Sequence, residues 1–316
     1  MNIQNICIIG AGAVGGFYGA KLQKEGYKVQ FYSNYLKSGK LKIKSIWGDF
    51  EIQANVFNDT KQMEPSELII ISTKTLPEIP ILSLVQSILK KNSIVLFLQN
   101  GINQEENFKK EIQKNKELKK LEIIILGGLA FTCIHRISSN EIHHIDYGNI
   151  KIGSLEKNHH SYAKEITKIF LNAGIQCEFV TNLRKARWEK LLWNVAFNTL
   201  SVIGLNVTTD LLVASKDTRI LSENLMKEIL AISEKEKNSC GRNKIKEMIH
   251  KTIKMKPYKT SMLIDYENHK PLEIEGILGE PIKLAEKYKI PTPYLKFCYH
   301  ILKFLDEQNR KIIVRD

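Results

Sequence analysis

With 316 residues and 43% hydrophobic content, the chain can fill two packed cores, and no apolar run approaches the ~18 residues of a membrane span. Its net charge of +13 comes mostly from dispersed lysines; with no helix-turn-helix, zinc finger or aromatic RNA-binding motif, that excess reads as steering of small anions, and a nucleic-acid partner, which is not expected, is a rival reading motivated by charge alone. Five scattered cysteines (Cys7, Cys133, Cys177, Cys240, Cys298), none in C-x-x-C spacing, argue against a disulfide framework or a zinc site and fit a reducing cytoplasm; the first residues lack the basic and apolar blocks of a signal peptide.

In chain order, the first expected element is a strand over 3–9, with the apolar run Ile6-Cys7-Ile8-Ile9. Gly10-Ala11-Gly12-Ala13-Val14-Gly15 follows, and a helix is expected from about Gly12 through Ala20-Lys21-Leu22. This is G-x-G-x-x-G in a strand–turn–helix context, which points to a dinucleotide site. Gly10 permits the tight turn, Gly12 lets the backbone approach a pyrophosphate, and Gly15 lets helix and strand pack closely. Ala13 and Val14 lie where a helix N-terminus offers N–H groups and partial positive charge to phosphates. A cofactor-free domain of the same design is the alternative reading.

Further strands are expected over 29–32, 68–73, 94–98 and 122–130, with helices starting near Ile79 and Asn103. Wholly apolar strands such as Leu68-Ile69-Ile70-Ile71 suit a parallel sheet covered on both faces. Segments 141–145 and 149–152, split by Asp146-Tyr147-Gly148, read as an antiparallel hairpin. A helix over 161–173 and a strand over 176–180 finish this half. Helices follow over 182–204, 217–237, 241–253, 274–288 and 292–307, with Thr181-Asn182 resembling an N-cap and Gly204 and Pro291 as punctuation. The expected organisation is α/β, with a Rossmann-type dinucleotide-binding domain over 1–180 and an all-helical substrate domain over 181–316.

Trp188 to Leu200 is apolar nearly all round, the mark of a buried helix. Yet Lys190, Asn194 and Asn198 recur every four residues, offset by about 40° each, and line one narrow stripe. A buried ammonium or amide needs polar partners. The stripe serves either as a seam against another part of the protein or as a wall facing a small polar ligand. One Lys and two Asn suit a keto acid: a desolvated Lys can act as general acid near neutral pH, and the amides can orient the molecule. Lys74 and Gln99-Asn100-Gly101 follow two sheet strands, where open α/β sheets bind ligands. Taken alone, Ser261 reads as an N-cap and Glu273 as a first-turn residue.

Together these segments resemble the ketopantoate reductase (2-dehydropantoate 2-reductase) family across almost the whole chain. The glycine loop, Lys74, Gln99-Asn100-Gly101, Trp188-Glu189-Lys190-Leu191 with Asn194 and Asn198, Ser261-Met262-Leu263 with Asp265, and Glu273-Ile274-Glu275 follow its pattern in order and spacing. The long-helix motif is the most specific of these. The resemblance implies an active site between the two domains and NADPH-dependent reduction of 2-dehydropantoate to pantoate, a step towards coenzyme A. It implies Lys190 as general acid and Glu273 as the residue that orients or tunes it. It implies Asn194, Asn198 and Ser261 on the substrate, and Lys74 and Asn100 on the nicotinamide side. No metal is implied; the expected partner is a small 2-keto acid, and a homodimer is admitted.

The chain departs from the family at several positions. Where many members carry an Arg for the 2′-phosphate, this chain has Ser33-Asn34; no acidic residue stands there either, so NADP is expected, with Ser33, Asn34 and Lys37 or Lys40 as candidate contacts. Thr199 replaces a common Pro, Leu272 a common Thr and Glu275 a common Asp, which leaves a related 2-keto acid open as substrate. The other alternative is a non-catalytic dinucleotide-binding protein.

Overall fold

Strands that are apolar at every residue have two faces to cover, and the first part of the chain covers both. The structure is a computed structural model describing residues 3–204 and 206–313; the outermost residues of both expected domains, 1–2 and 314–316, lie outside it. It divides into two compact units. The first holds 3–74, 78–99 and 103–183, and the second holds 75–77, 100–102 and the described residues from 184 onwards.

In the first unit the elements run β1 (Asn5–Ile9), α1 (Ala13–Lys24), β2 (Lys28–Tyr32), β3 (Gly39–Ser45), β4 (Phe50–Phe57), β5 (Leu68–Ile71), α2 (Ile81–Val85), β6 (Ile94–Phe97), α3 (Gln104–Lys114), α4 (Lys116–Lys119), β7 (Ile124–Ser138), β8 (Glu141–Gly153), α5 (His160–Asn172) and β9 (Cys177–Val180). Among the described residues they build a nine-stranded sheet in the order β3-β4-β2-β1-β5-β6-β7-β8-β9. The run β2-β1-β5-β6-β7 is parallel, as a Rossmann-type domain requires. Alternation decides which side each residue faces. Ile6, Ile8, Leu68, Ile70 and Leu96 pack with Phe17 and Tyr18 of α1 and Phe170 of α5. Cys7, Ile9, Ile69, Ile71, Val95 and Phe97 pack with Val85, Phe108 and Ile112 on the other face.

The short helix α4 was not expected, β7 runs to Ser138 past the expected 122–130, and two hairpins depart further from the sequence reading. The hairpin β3–β4 was not expected. Leu41, Ile43, Ile52 and Ala54 point inward at period two, but the intervening Lys40, Lys42, Lys44, Glu51 and Gln53 make both strands look polar. The expected hairpin at Asp146-Tyr147-Gly148 is instead one continuous strand, β8, paired with β7 through a turn at Ser139-Asn140. Tyr147 and Gly148 do take left-handed backbone, at φ 57° and 111°. Within a paired strand that geometry makes a bulge, and the register with β7 shifts on either side of Cys133. β3 also pairs with β8, Lys42–Ser45 against Glu141–His144, so the outer hairpin curls back over α1. The Tyr18 hydroxyl donates to Gly148 O at 3.2 Å from within that enclosure.

The second unit is helical: α6 (Leu183–Ile203), α7 (Thr209–Ala214), α8 (Lys216–Lys235), α9 (Asn243–Ile253), α10 (Ser261–Glu267), a π-helical turn at Glu275–Gly279 that runs into α11 (Glu280–Lys287), and α12 (Pro293–Ile313). Trp188, Leu191, Val195 and Phe197 of α6 pack at its centre with Leu225, Ile229, Leu263, Leu278, Leu295 and Leu302. Among the described residues, no helix is long and apolar enough to cross a membrane.

Close packing around the first turn generates a test. A Cβ on Gly10, at φ +91°, would lie 2.5 Å from Thr73 N, and one on Gly15 would lie 2.7 Å from Gly10 O. Backbone cannot yield as a side-chain tip can. Gly10→Ala and Gly15→Ala should each destabilise the first unit by about 1–3 kcal/mol. At about 2–4 °C per kcal/mol, circular dichroism should show Tm lower by several degrees.

Candidate functional site

The glycine loop separates packing from ligand space. Gly10 and Gly15 are required by the protein's own backbone, but Gly12 is not. Its φ of −71° suits any residue, and a Cβ there would meet nothing nearer than Gly10 O at 3.8 Å. Gly10 O and, at 4.0 Å, Arg136 Nη2 stand at ordinary contact distance from such a Cβ, so packing does not demand a glycine here, and its absence of a side chain keeps the backbone at the N-terminus of α1 approachable by a pyrophosphate. No side chain caps α1, and the N–H groups of a first helical turn have no intrahelical partner; those of Ala13, Val14 and Gly15 belong to that turn.

The remaining residues expected near the dinucleotide are placed as follows. Ser33 is buried, and its Oγ accepts from the N–H of Tyr35 at 3.2 Å and of Leu36 at 3.0 Å. Asn34 is exposed. Lys40 pairs with Glu51 at 2.8 Å. Lys74 is half-buried beyond β5, and its carbonyl accepts from Gln99 Nε2 at 3.3 Å.

The helical unit gathers the polar group. Thr75 and Asn100 come from its two short loop segments, Lys190 from α6, and Glu273 from the residues just before the π turn. The Glu273 carboxylate accepts from the Thr75 N–H through Oε1 at 2.9 Å and from Asn100 Nδ2 through Oε2 at 3.1 Å. Lys190 Nζ donates to Asn100 Oδ1 at 3.0 Å. Chemistry fixes the amide's orientation, because a carboxylate only accepts and an ammonium only donates. Thr75 Oγ1 also donates to Asn100 O at 2.9 Å. Gly276 makes room for this clamp: a Cβ there would lie 2.8 Å from Thr75 Cγ2. Single π turns inside helices recur at functional sites, and this one carries Gly276.

The electrostatics follow from burial. Loss of solvation, joined by the neighbouring Arg187 cation, pulls Lys190 from 10.5 to about 7, and Glu273 offsets only part of that. A lysine so poised can hold or release a proton near neutral pH.

Along α6, Asn194 is 6% exposed and Asn198 2%. Asn198 Oδ1 is buried without a hydrogen-bond partner among the described residues, an unmet acceptor of the kind a ligand satisfies. Ser261 is exposed on the first turn of α10. Its expected capping role belongs to Thr260, whose Oγ1 accepts from the Leu263 N–H at 3.2 Å and lies 2.7 Å from Ser201 Oγ. Two departures from the family are committed elsewhere: Leu272 is core, and Glu275 accepts from the Tyr299 hydroxyl at 2.8 Å and pairs with Lys303 at 3.2 Å. Thr75 and Gly276 lie in segments that the sequence marks as candidates, but neither had a role assigned to it. Thr75 acts partly through a backbone N–H, which no side-chain type advertises. Among the described residues, no group of three or more His, Cys, Asp or Glu is arranged to hold a metal ion.

The shifted lysine can be observed directly. In NMR of protein carrying [13C]ε-lysine, one resonance should titrate near pH 7, and Lys190→Arg should remove it. If every lysine titrates near its ordinary value, the electrostatic account of the group fails.

Comparison with known proteins covers nearly the whole chain. Residues 6–157 match the family model described as ketopantoate reductase PanE/ApbA, and residues 182–306 match the model of its C terminal part. A 2-dehydropantoate 2-reductase of Nostoc sp. is 39% identical, with 98% of each chain aligned. The crystal structure of a 2-dehydropantoate 2-reductase from Geobacter metallireducens superposes with a TM-score of 0.86 at 30% identity, covering 96% of this chain and 99% of that one. The same fold, at 22% identity and TM-score 0.85, occurs in D-mandelate dehydrogenase solved with NADH and anilino(oxo)acetate, over 97% of this chain and 99% of that one.

Proposed function

The chain belongs to the ketopantoate reductase family, and on that premise we propose that it reduces 2-dehydropantoate to pantoate with NADPH, on the route to coenzyme A. The observation that carries the reading is Lys190: an ammonium poised near neutrality and aimed by Asn100, on a helix whose buried face also holds Asn194 and Asn198.

A bound reduced nicotinamide dinucleotide supplies the hydride for the keto carbon. The residues of this chain do the rest. Lys190 Nζ–H gives its proton to the carbonyl oxygen as negative charge builds there, so its stabilisation is larger in the transition state than in the ground state. Asn100 Oδ1 keeps Nζ aimed, and Glu273 keeps Asn100 from turning its other end to the lysine. Asn198 Oδ1 accepts from a substrate hydroxyl, while Asn194 and Ser261 supply donors to the carboxylate end. The absence of a carboxylate at Ser33 and Asn34, with the overall positive charge, favours NADPH over NADH.

The test is NADPH oxidation with 2-dehydropantoate beside smaller and branched 2-keto acids, each repeated with NADH. The highest kcat/KM is expected for 2-dehydropantoate with NADPH. Lys190→Ala should lower kcat by about 10²–10⁴, the usual contribution of a positioned acid. Because the protonated form is the active one, kcat/KM for reduction should hold below pH 7 and fall tenfold per pH unit above the lysine's value of about 7. Unchanged turnover in Lys190→Ala would refute the acid role, and a preference for another keto acid would refute the substrate.

A further inference from the structure

The sequence leaves the 2′-phosphate of NADPH without an arginine at the end of β2, yet the first unit brings one there from elsewhere. We propose that Arg136 of β7 is the residue that receives the 2′-phosphate, in place of the side chain at position 34. This rests on the NADPH reading above and assigns the phosphate a partner.

Arg136 belongs to the part of β7 that curls back with β8 over α1, beside the register shift between Arg136 and Ser138. Such irregularities re-aim side chains. Its Nη2 donates to Ala11 O, inside the glycine loop, and lies 4.0 Å from where a Cβ on Gly12 would stand. Its guanidinium carbon is 5.8 Å from the centre of the Tyr35 ring, two residues past Ser33. The loop and the end of β2 are themselves tied together: the Gly10 and Ala11 N–H groups both donate to Tyr32 O, at 3.1 and 3.0 Å. Arg136 is thus held between the glycine loop and the residues that follow β2. That is where a dinucleotide fold places the adenosine ribose and reads its 2′ substituent.

The charge at this spot is not neutralised. Among the described residues no carboxylate lies within ion-pairing distance of Arg136, although the side chain is only half-exposed. A partly desolvated guanidinium held by a neutral carbonyl oxygen is costly to keep and is relieved by an arriving dianion. The other candidates are weaker. Ser33 Oγ is turned into its own loop, Asn34 is neutral, and Lys40 is bound to Glu51. Lys37 remains as an exposed cation on the same loop after β2.

The experiment measures binding by calorimetry with two probes that differ only in the 2′-phosphate, adenosine 2′,5′-bisphosphate and adenosine 5′-monophosphate, using wild type, Arg136→Met, Arg136→Lys and Lys37→Gln. Wild type should bind the bisphosphate at least tenfold more tightly. Arg136→Met should lose at least tenfold on the bisphosphate and less than threefold on the monophosphate. Arg136→Lys should keep part of the difference, since it retains charge without the planar fork, and Lys37→Gln should keep all of it. Equal losses on both probes in Arg136→Met would show that Arg136 only shapes the glycine loop and would overturn the proposal. So would an unchanged preference, or a preference lost in Lys37→Gln instead. If wild type itself binds both probes equally, the NADPH reading falls first and the proposal with it.

Discussion

The hydrogen bond from Lys190 Nζ to Asn100 Oδ1 is the contact on which the helical unit's chemistry depends. An ammonium set into the packed face of α6, with the Arg187 cation beside it, loses solvation, and hydrogen bonds to charged groups return only about 1.5–3 kcal/mol each. Here the acceptor is an amide locked from behind by a carboxylate, and that carboxylate is locked by a backbone N–H. Residues 75, 100, 190 and 273 are far apart in sequence, yet each fixes the next. The same bonds explain why two short loop segments, 75–77 and 100–102, count with the helices and not with the strands they follow. Without Asn100, or without the Glu273 carboxylate behind it, the lysine would keep its place on α6 but lose its aim.

What was legible in the sequence tracks how local the cause is. The apolar strands β5 and β6, buried at every residue, and β1, buried from Ile6 to Ile9, declared themselves by their unbroken apolar runs. The stripe on α6 declared itself because a spacing of four is a property of one helix, and Asn194 and Asn198 are indeed buried there. The partners of Lys190 were not legible from residue physics. Glu273 alone looks like any first-turn acid, and only the ordered set of motifs gave it a role. The β3–β4 hairpin was hidden by its lysines. The misplaced turn at Asp146-Tyr147-Gly148 had a real cause: Tyr147 and Gly148 do adopt left-handed backbone, but whether that makes a hairpin or a bulge is settled by the neighbouring strand, β7.

The three motif glycines show how one sequence pattern combines different requirements. Gly10 is needed for its positive φ, Gly15 for the closeness of its neighbours, and Gly12 for neither. A motif glycine that the protein itself does not require is the informative one, because packing does not account for it. The sequence pattern names all three alike, and only the surroundings of each tell packing from binding.

The curled β7–β8 hairpin extends the same logic from backbone to charge. By pairing with β3 it encloses α1 and carries Arg136 to Ala11 and Tyr35, residues from which it is separated by more than half of the first unit's length. Both cations singled out here are oriented by a neutral oxygen, Lys190 by the Asn100 amide and Arg136 by the Ala11 carbonyl. A neutral acceptor fixes direction without cancelling charge. At Lys190 the carboxylate stands one residue behind the amide, and its pull is outweighed by burial and Arg187. A direct, dominant carboxylate would hold the lysine protonated and spend its field on the ground state. Set back behind an amide, it leaves that field available, and in the role proposed for Lys190 the field would serve the oxygen on which charge develops, as differential stabilisation of a transition state demands.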